Sequence, residues 1–253
     1  MNSKKIRIAV GLFTIASFLV PSFMFADTST TTVSTTSGNK TNFCTSINTY
    51  VATLDKNFGQ KETTYETKKA DQLKALNDAQ AIRDAKTEQN RAVWNEKRDT
   101  QFQKLASKAK TDAEKTAVET FKTTVTNAIA TRRAAVDDAV ATYRSGLSTI
   151  LSTRKTTVET ALQTLKTDSD TAITKAKSDC ANGVNPKTVK TALLSAIKDA
   201  RAKFSATVKD TAEMKTALST LQTARKTAFT KAQTDFKTVY DKALADLKTA
   251  FAQ

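Results

Sequence analysis

Apolar residues return every eleven positions between Ala113 and Ser178. In blocks, the stretch reads AEKTAVETFKT, TVTNAIATRRA, AVDDAVATYRS, GLSTILSTRKT, TVETALQTLKT, DSDTAITKAKS. The second position supplies Val125, Val136, Leu147 and Val158. The sixth supplies Val118, Ile129, Val140, Leu151, Leu162 and Ile173, and the ninth adds Phe121, Tyr143 and Leu165. At about 98° per residue these positions fall in one narrow stripe, and eleven residues over three turns gives straight or slightly right-handed helix packing. A second run follows Lys215, in which Leu218, Phe229, Tyr240 and Phe251 recur at the same spacing. Both runs read as long helix.

The interruptions are legible too. Asn182-Gly183-Val184-Asn185-Pro186 is a helix stop, a turn and a restart, with proline suited to a first helical turn. Thr111-Asp112-Ala113-Glu114 has capping-box form. The two cysteines bear on this second break. If residues 44–180 formed one helix, Cys44 and Cys180 would stand roughly 200 Å apart at 1.5 Å per residue. Their midpoint falls on the capping box, so a hairpin there brings them together. Cys180 continues the second-position series, and Cys44 heads the stripe Ile47, Val51, Leu54, Phe58.

These features predict an all-α protein. It is an elongated antiparallel three-helix bundle, up-down-up, with helices at about 42–110, 113–181 and 187–253, the whole forming a rod over 42–253. The third helix is expected to run unbroken. A Cys44–Cys180 staple stabilises such a fold by about 4–5 kcal/mol through loop closure. The competing reading is a flexible helical chain whose cysteines join two copies.

The N-terminus sets the compartment. Lys4, Lys5 and Arg7 precede an apolar run from Ile8 to Val20; Pro21 follows, and Ala26 precedes Asp27. This is the form of a secretory signal peptide over 1–26. An uncleaved anchor is the alternative, since Ile6 to Ala26 spans about 20 residues, enough for a bilayer. The Thr/Ser-rich segment 27–41 has no apolar period and reads as a flexible tether; its Asn39-Lys40-Thr41 fits a glycosylation acceptor. In either case the remaining chain is exported (periplasmic, cell-surface or secreted), where an even pair of cysteines is read first as a disulfide.

Composition narrows the chemistry. Among 253 residues there is no histidine, and there are only five glycines and two cysteines. The commonest general base and metal ligand is therefore missing. Two cysteines alone cannot make a zinc site, and no phosphate-cradling glycine loop occurs. Adjacent carboxylates such as Asp137 and Asp138 point in different directions on a helix, and the serines have no base beyond lysine. No catalytic residue, cofactor or metal is expected; the protein reads as non-enzymatic.

The formal net charge is +15, which favours polyanionic partners. The tenth position of the first repeat is always basic: Lys122, Arg133, Arg144, Lys155, Lys166, Lys177. Lys215, Lys226, Lys237 and Lys248 form a second row, each row stepping about 16.5 Å along a helix. One reading is a track for an anionic envelope polymer or a protein partner. The other is a set of side chains that cover the bundle seam and pair with acids on a neighbouring helix. No small-molecule substrate is expected, and membrane contact is expected only through 1–26 if they are retained. The oligomeric expectation is a monomer or a small homo-oligomer. Trp94, in a polar stretch, reads as a packing residue at a helix seam.

Threonine also recurs every eleven residues, at Thr120, Thr131, Thr142, Thr153 and Thr164 and again at Thr216, Thr227, Thr238 and Thr249. This ladder resembles those of helical type I antifreeze proteins, which implies ice binding by regularly placed hydroxyls and methyls. The chain departs from them in carrying lysine, arginine and acids between the threonines. In its exported, basic, helical character it also resembles Skp-like periplasmic chaperones, which implies a holdase, although no strands for trimer assembly are present. The function expected from the sequence is an exported structural or binding protein of the envelope or extracellular space, with a holdase or polyanion-binding protein as the alternative.

Overall fold

The structure is a computed structural model, and it describes residues 42–252. The signal segment 1–26, the tether 27–41 and the glycosylation sequence lie outside the described residues. Four α-helices follow in order: α1 (Phe43–Ala106), α2 (Asp112–Ala181), α3 (Pro186–Lys209) and α4 (Ala212–Ala250).

Local chemistry accounts for each boundary. The Cys44 N–H donates to Asn42 Oδ1 at 3.1 Å, which starts α1. The capping box forms at α2: Glu114 N–H donates to Thr111 Oγ1 (3.2 Å), while Glu114 Oε2 accepts from the backbone N–H of Thr111 (2.8 Å) and Lys110 (2.6 Å). At the end of α2, Gly183 adopts φ 73°. Val184 N–H then donates to Asp179 O, and Gly183 N–H to Cys180 O. That bond pair is a Schellman motif, in which glycine supplies the left-handed residue. Asn185 caps α3 by accepting from Lys187 N–H at 2.9 Å, with Pro186 at its first turn.

The third segment differs from the unbroken helix the sequence suggested. Asp210 leaves helical geometry at ψ 113°. Thr211 follows at φ −128°, with no side-chain cap bond. Asp and Thr are poor helix formers whose side chains favour helix ends, so the run is divided into α3 and α4.

The helices build two compact units, and the division falls at this break. The first unit takes residues 42–76, 158–181 and α3. Its core joins Ile47, Leu54 and Phe58 from α1 to Val158, Leu165 and Ile173 from α2, with Val189, Leu193, Ile197, Phe204 and Val208 from α3. Leu165, Val189, Leu193 and Ile197 are at most 2 % exposed. Glu62 meets Lys166 and Lys69 meets Glu159. Each advance along α1 is thus matched by an equal retreat along α2. Lys203 of α3 reaches Asp168 of α2. Three segments run up, down and up.

The second unit takes residues 77–106, 112–157 and α4. Phe102, Val118, Phe121, Val125, Ala243 and Leu247 form its core, with Leu105 and Tyr240 packed against it. Phe121 meets Phe102 edge-on at 6.1 Å and Tyr240 at 6.0 Å. Asp84 pairs with Arg144 and Arg91 with Asp137, in the same antiparallel register as in the first unit. Arg225 of α4 stacks over Tyr143 of α2 at 4.2 Å. Gly146 lies against Leu221, where an added Cβ would come within 2.5 Å of Cδ2. A larger residue there would require the Leu221 side chain to move.

The eleven-residue stripe of α2 is the core face in both units. Every apolar residue the repeat singled out is buried or half-buried. The all-α, up-down-up, antiparallel three-helix arrangement is therefore present in each unit.

Candidate functional site

The chemistry-bearing features of this chain are its cysteine pair and its basic rows. In the first unit Asn42 and the start of α1 present Cys44 to Cys180, one residue from the end of α2. Their sulfurs are 1.99 Å apart and their Cα atoms 5.5 Å, across a sequence separation of 136. The rings of Phe43 and Tyr50 meet edge-on with centroids 6.2 Å apart, and both residues pack against the apolar core along with Cys180. Burial pushes the Tyr50 phenol up, with the Arg201 charge opposing it. Burial, and then Arg201, lowers Lys61.

The α2 row divides between the units. In the first, Lys166 Nζ donates to Glu62 Oε2 of α1 at 2.7 Å, and Lys177 is exposed. In the second, Arg144 closes a fork on Asp84: NH1 meets Oδ2 at 2.9 Å and NH2 meets Oδ1 at 2.6 Å. The Arg144 hydrogen bond holds the Asp84 carboxyl below the usual carboxylate range, although desolvation opposes it. Arg133 NH2 donates to Asn95 Oδ1 at 2.8 Å. Burial lowers the Arg133 guanidinium, and repulsion from Arg91 and Arg98 adds to this. Lys122 lies 3.5 Å from Glu119 on its own helix. Lys155 is exposed and has an interaction of its own.

Arg144, Lys166 and Arg133 thus act across the α1–α2 seam. Their partners Glu62, Asp84 and Asn95 were not singled out as site residues. The signal that could have found them is the hairpin itself. Once the turn at Thr111 sets an antiparallel register, the paired positions on the two helices have nearly equal sums of residue numbers.

The α4 row lies outside the seam. Lys215, Lys226, Lys237 and Lys248 are exposed, and Lys237 pairs with Asp241 one turn on. Lys215, Lys226 and Lys248 engage no carboxylate among the described residues.

The threonines Thr120, Thr131, Thr142, Thr153 and Thr164 are exposed. Thr164 Oγ1 donates to Thr160 O at 3.0 Å. Thr216, Thr238 and Thr249 do the same to Ala212, Thr234 and Ala245. Such back-bonding satisfies the hydroxyl hydrogen within the helix, so those hydroxyls offer only lone pairs and a methyl outward.

Trp94 is not at a seam. It is 61 % exposed, with Lys97 Nζ 5.6 Å from its ring centroid. No residue between 59 and 101 of α1 is fully buried, so no apolar stripe draws the indole inward.

Asp137 is bonded to Arg91 at 2.6 Å and Asp168 to Lys203 at 3.1 Å. Among the described residues no group of three or more Cys, Asp or Glu side chains could hold a metal ion. No helix among them is long and apolar enough to cross a membrane. Comparison with protein-family models, curated proteins and solved structures finds no match to this chain.

Proposed function

We propose that this protein is an exported, non-enzymatic structural module of the cell envelope or extracellular space. The cross-helix bonding of the α2 row carries the reading. Arg144 and Lys166, two cations of the apparent polyanion track, are bonded to Asp84 and Glu62 and so serve the bundle. The cysteine pair supports the compartment, because two thiols at bonding distance persist as a disulfide only where the surroundings oxidise them. The signal-like residues 1–26 support it as well.

The test is to express the full chain in a secreting bacterial host, then sequence the N-terminus and count free thiols in each fraction. The expected product begins at Asp27, lies outside the cytoplasm and has no free thiol. A chain that keeps Met1 and two free thiols in the cytoplasm overturns the export reading.

Polyanion binding is the second reading, and the exposed Lys215, Lys226 and Lys248 of α4 favour it over the α2 row. Retention on a wall polymer or heparin-like column that falls steeply with salt, and falls again when these three are changed to Gln, supports it. Binding that ignores both changes removes it.

A further inference from the structure

Ile82, Val93 and Trp94 of the second unit are 68, 42 and 61 % exposed. Asp84, Arg91 and Asn95, on the same stretch of α1, are bonded to α2. At about 100° per residue, Ile82 and Val93 lie on the side of the helix turned away from α2. Lys86 and Lys97 fall beside them, and Trp94 closes the far edge with Lys97 over its ring. The sector from Ile82 round to Trp94 contains no carboxylate. Glu88 and Asp99 are bonded to Arg91 and Arg98, while Asp78 and Glu96 lie beyond the Ile82 edge.

We propose that this face docks on an anionic lipid bilayer. Ile82, Val93 and Trp94 enter the headgroup boundary while Lys86 and Lys97 meet lipid phosphates. An indole with lysines beside exposed aliphatics is suited to that boundary, because its ring is apolar and its N–H polar. Charge complementarity selects the occupant, since the charged side chains of the sector are all basic and the acids of this stretch lie outside it. A second copy fits poorly. Antiparallel pairing about a two-fold axis centred on this face sets Lys86 of one copy against Lys97 of the other, and like charges repel. With three apolar anchors the docking is reversible and governed by charge, hence by salt. The inference goes beyond the structural-module reading and does not depend on export.

Trp94 is the only tryptophan in the chain, so its fluorescence reports from this face and not from the apolar segment Ile8–Val20. The full chain is titrated with phosphatidylglycerol vesicles and with phosphatidylcholine vesicles, and sedimentation and Trp94 emission are followed. The expected result is a shift to shorter wavelength and protection from aqueous quencher with the anionic vesicles only, reversed by salt. The double variant Lys86→Gln, Lys97→Gln should keep its helical circular dichroism. It should lose about fivefold in partition coefficient per lysine, the equivalent of about 1 kcal/mol per charge near an anionic surface. Four outcomes overturn the proposal: no binding to anionic vesicles at low salt, binding that leaves Trp94 emission water-like, an equal shift with neutral vesicles, or a double variant that binds like the parent. In the first of these cases, a shift produced instead by an acidic helical peptide assigns the face to a protein partner.

Discussion

Arg144 of α2 grips both carboxylate oxygens of Asp84 on α1, at 2.6 and 2.9 Å. The side chains are 32 and 56 % exposed, so water screens the pair. Exposed pairs of this kind contribute about 0.2–1 kcal/mol, and planar two-point geometry favours the upper part of the range. Asp84→Asn should therefore lower the unfolding free energy by up to about 1 kcal/mol, less at high salt. The folded pKa of Asp84 lies below its unfolded value. Its contribution is thus present above the ordinary aspartate range and fades as pH falls through the folded value. Urea melts of parent and variant at neutral and acid pH should converge on acidification; a gap that persists at acid pH refutes the assignment.

Closing a chain of 136 residues with a Cys44–Cys180 disulfide should stabilise the fold by about 4–5 kcal/mol in the loop-entropy account. Reduction, or Cys44→Ser, should lower the denaturation midpoint accordingly. Non-reducing peptide mapping should recover Cys44 and Cys180 in one peptide from a monomer. Disulfide-linked dimers would oppose this.

Thr111 and Thr211 stand at two helix starts but differ in what they bond. Thr111 Oγ1 accepts from Glu114 N–H, whereas Thr211 makes no side-chain cap bond. Thr111→Ala should cost about 1 kcal/mol and Thr211→Ala much less, as read by thermal melts. Backbone N–H groups of Thr111 and Lys110 hold the Glu114 carboxyl below its usual range. The box is therefore intact above the ordinary glutamate range and weakens as pH falls through the lowered value. Equal losses at the two threonines would contradict the cap assignment.

Leu193 and Leu194 are neighbours at 2 and 43 % exposure. Leu193→Ala removes side-chain volume from the core of the first unit and should cost about 2–5 kcal/mol. Leu194→Ala, on the outer face of α3, should stay within about 0.5 kcal/mol. Denaturant midpoints of the two variants test this directly, and similar losses would mean that α3 is rotated from its assigned face.

The α2 core face was readable in the sequence because an eleven-residue period keeps one stripe aligned over many turns, as Val118, Phe121, Val125, Leu165 and Ile173 illustrate. The turn at Thr111 and the Gly183 stop were readable too, since capping chemistry is local. The apposition of the cysteines followed from the turn by symmetry of chain length. The break at Asp210–Thr211 was missed, although Thr-Ala-Glu there echoes the boundary at Thr111. The apolar rhythm resumes on both sides of it and masks it.

The eleven-residue hydrophobic pattern and local caps thus determined which residues are helical, where two of the turns fall and which face of α2 is buried. Only the tertiary structure decided which partners the basic row takes and that Trp94 faces outward. A side chain's partner depends on register between segments distant in sequence, and α1 carries no buried stripe between Phe58 and Phe102 to fix its orientation from within. Its rotation is set there by bonds such as Asp84 to Arg144 and Arg91 to Asp137, which exist only once the hairpin has closed.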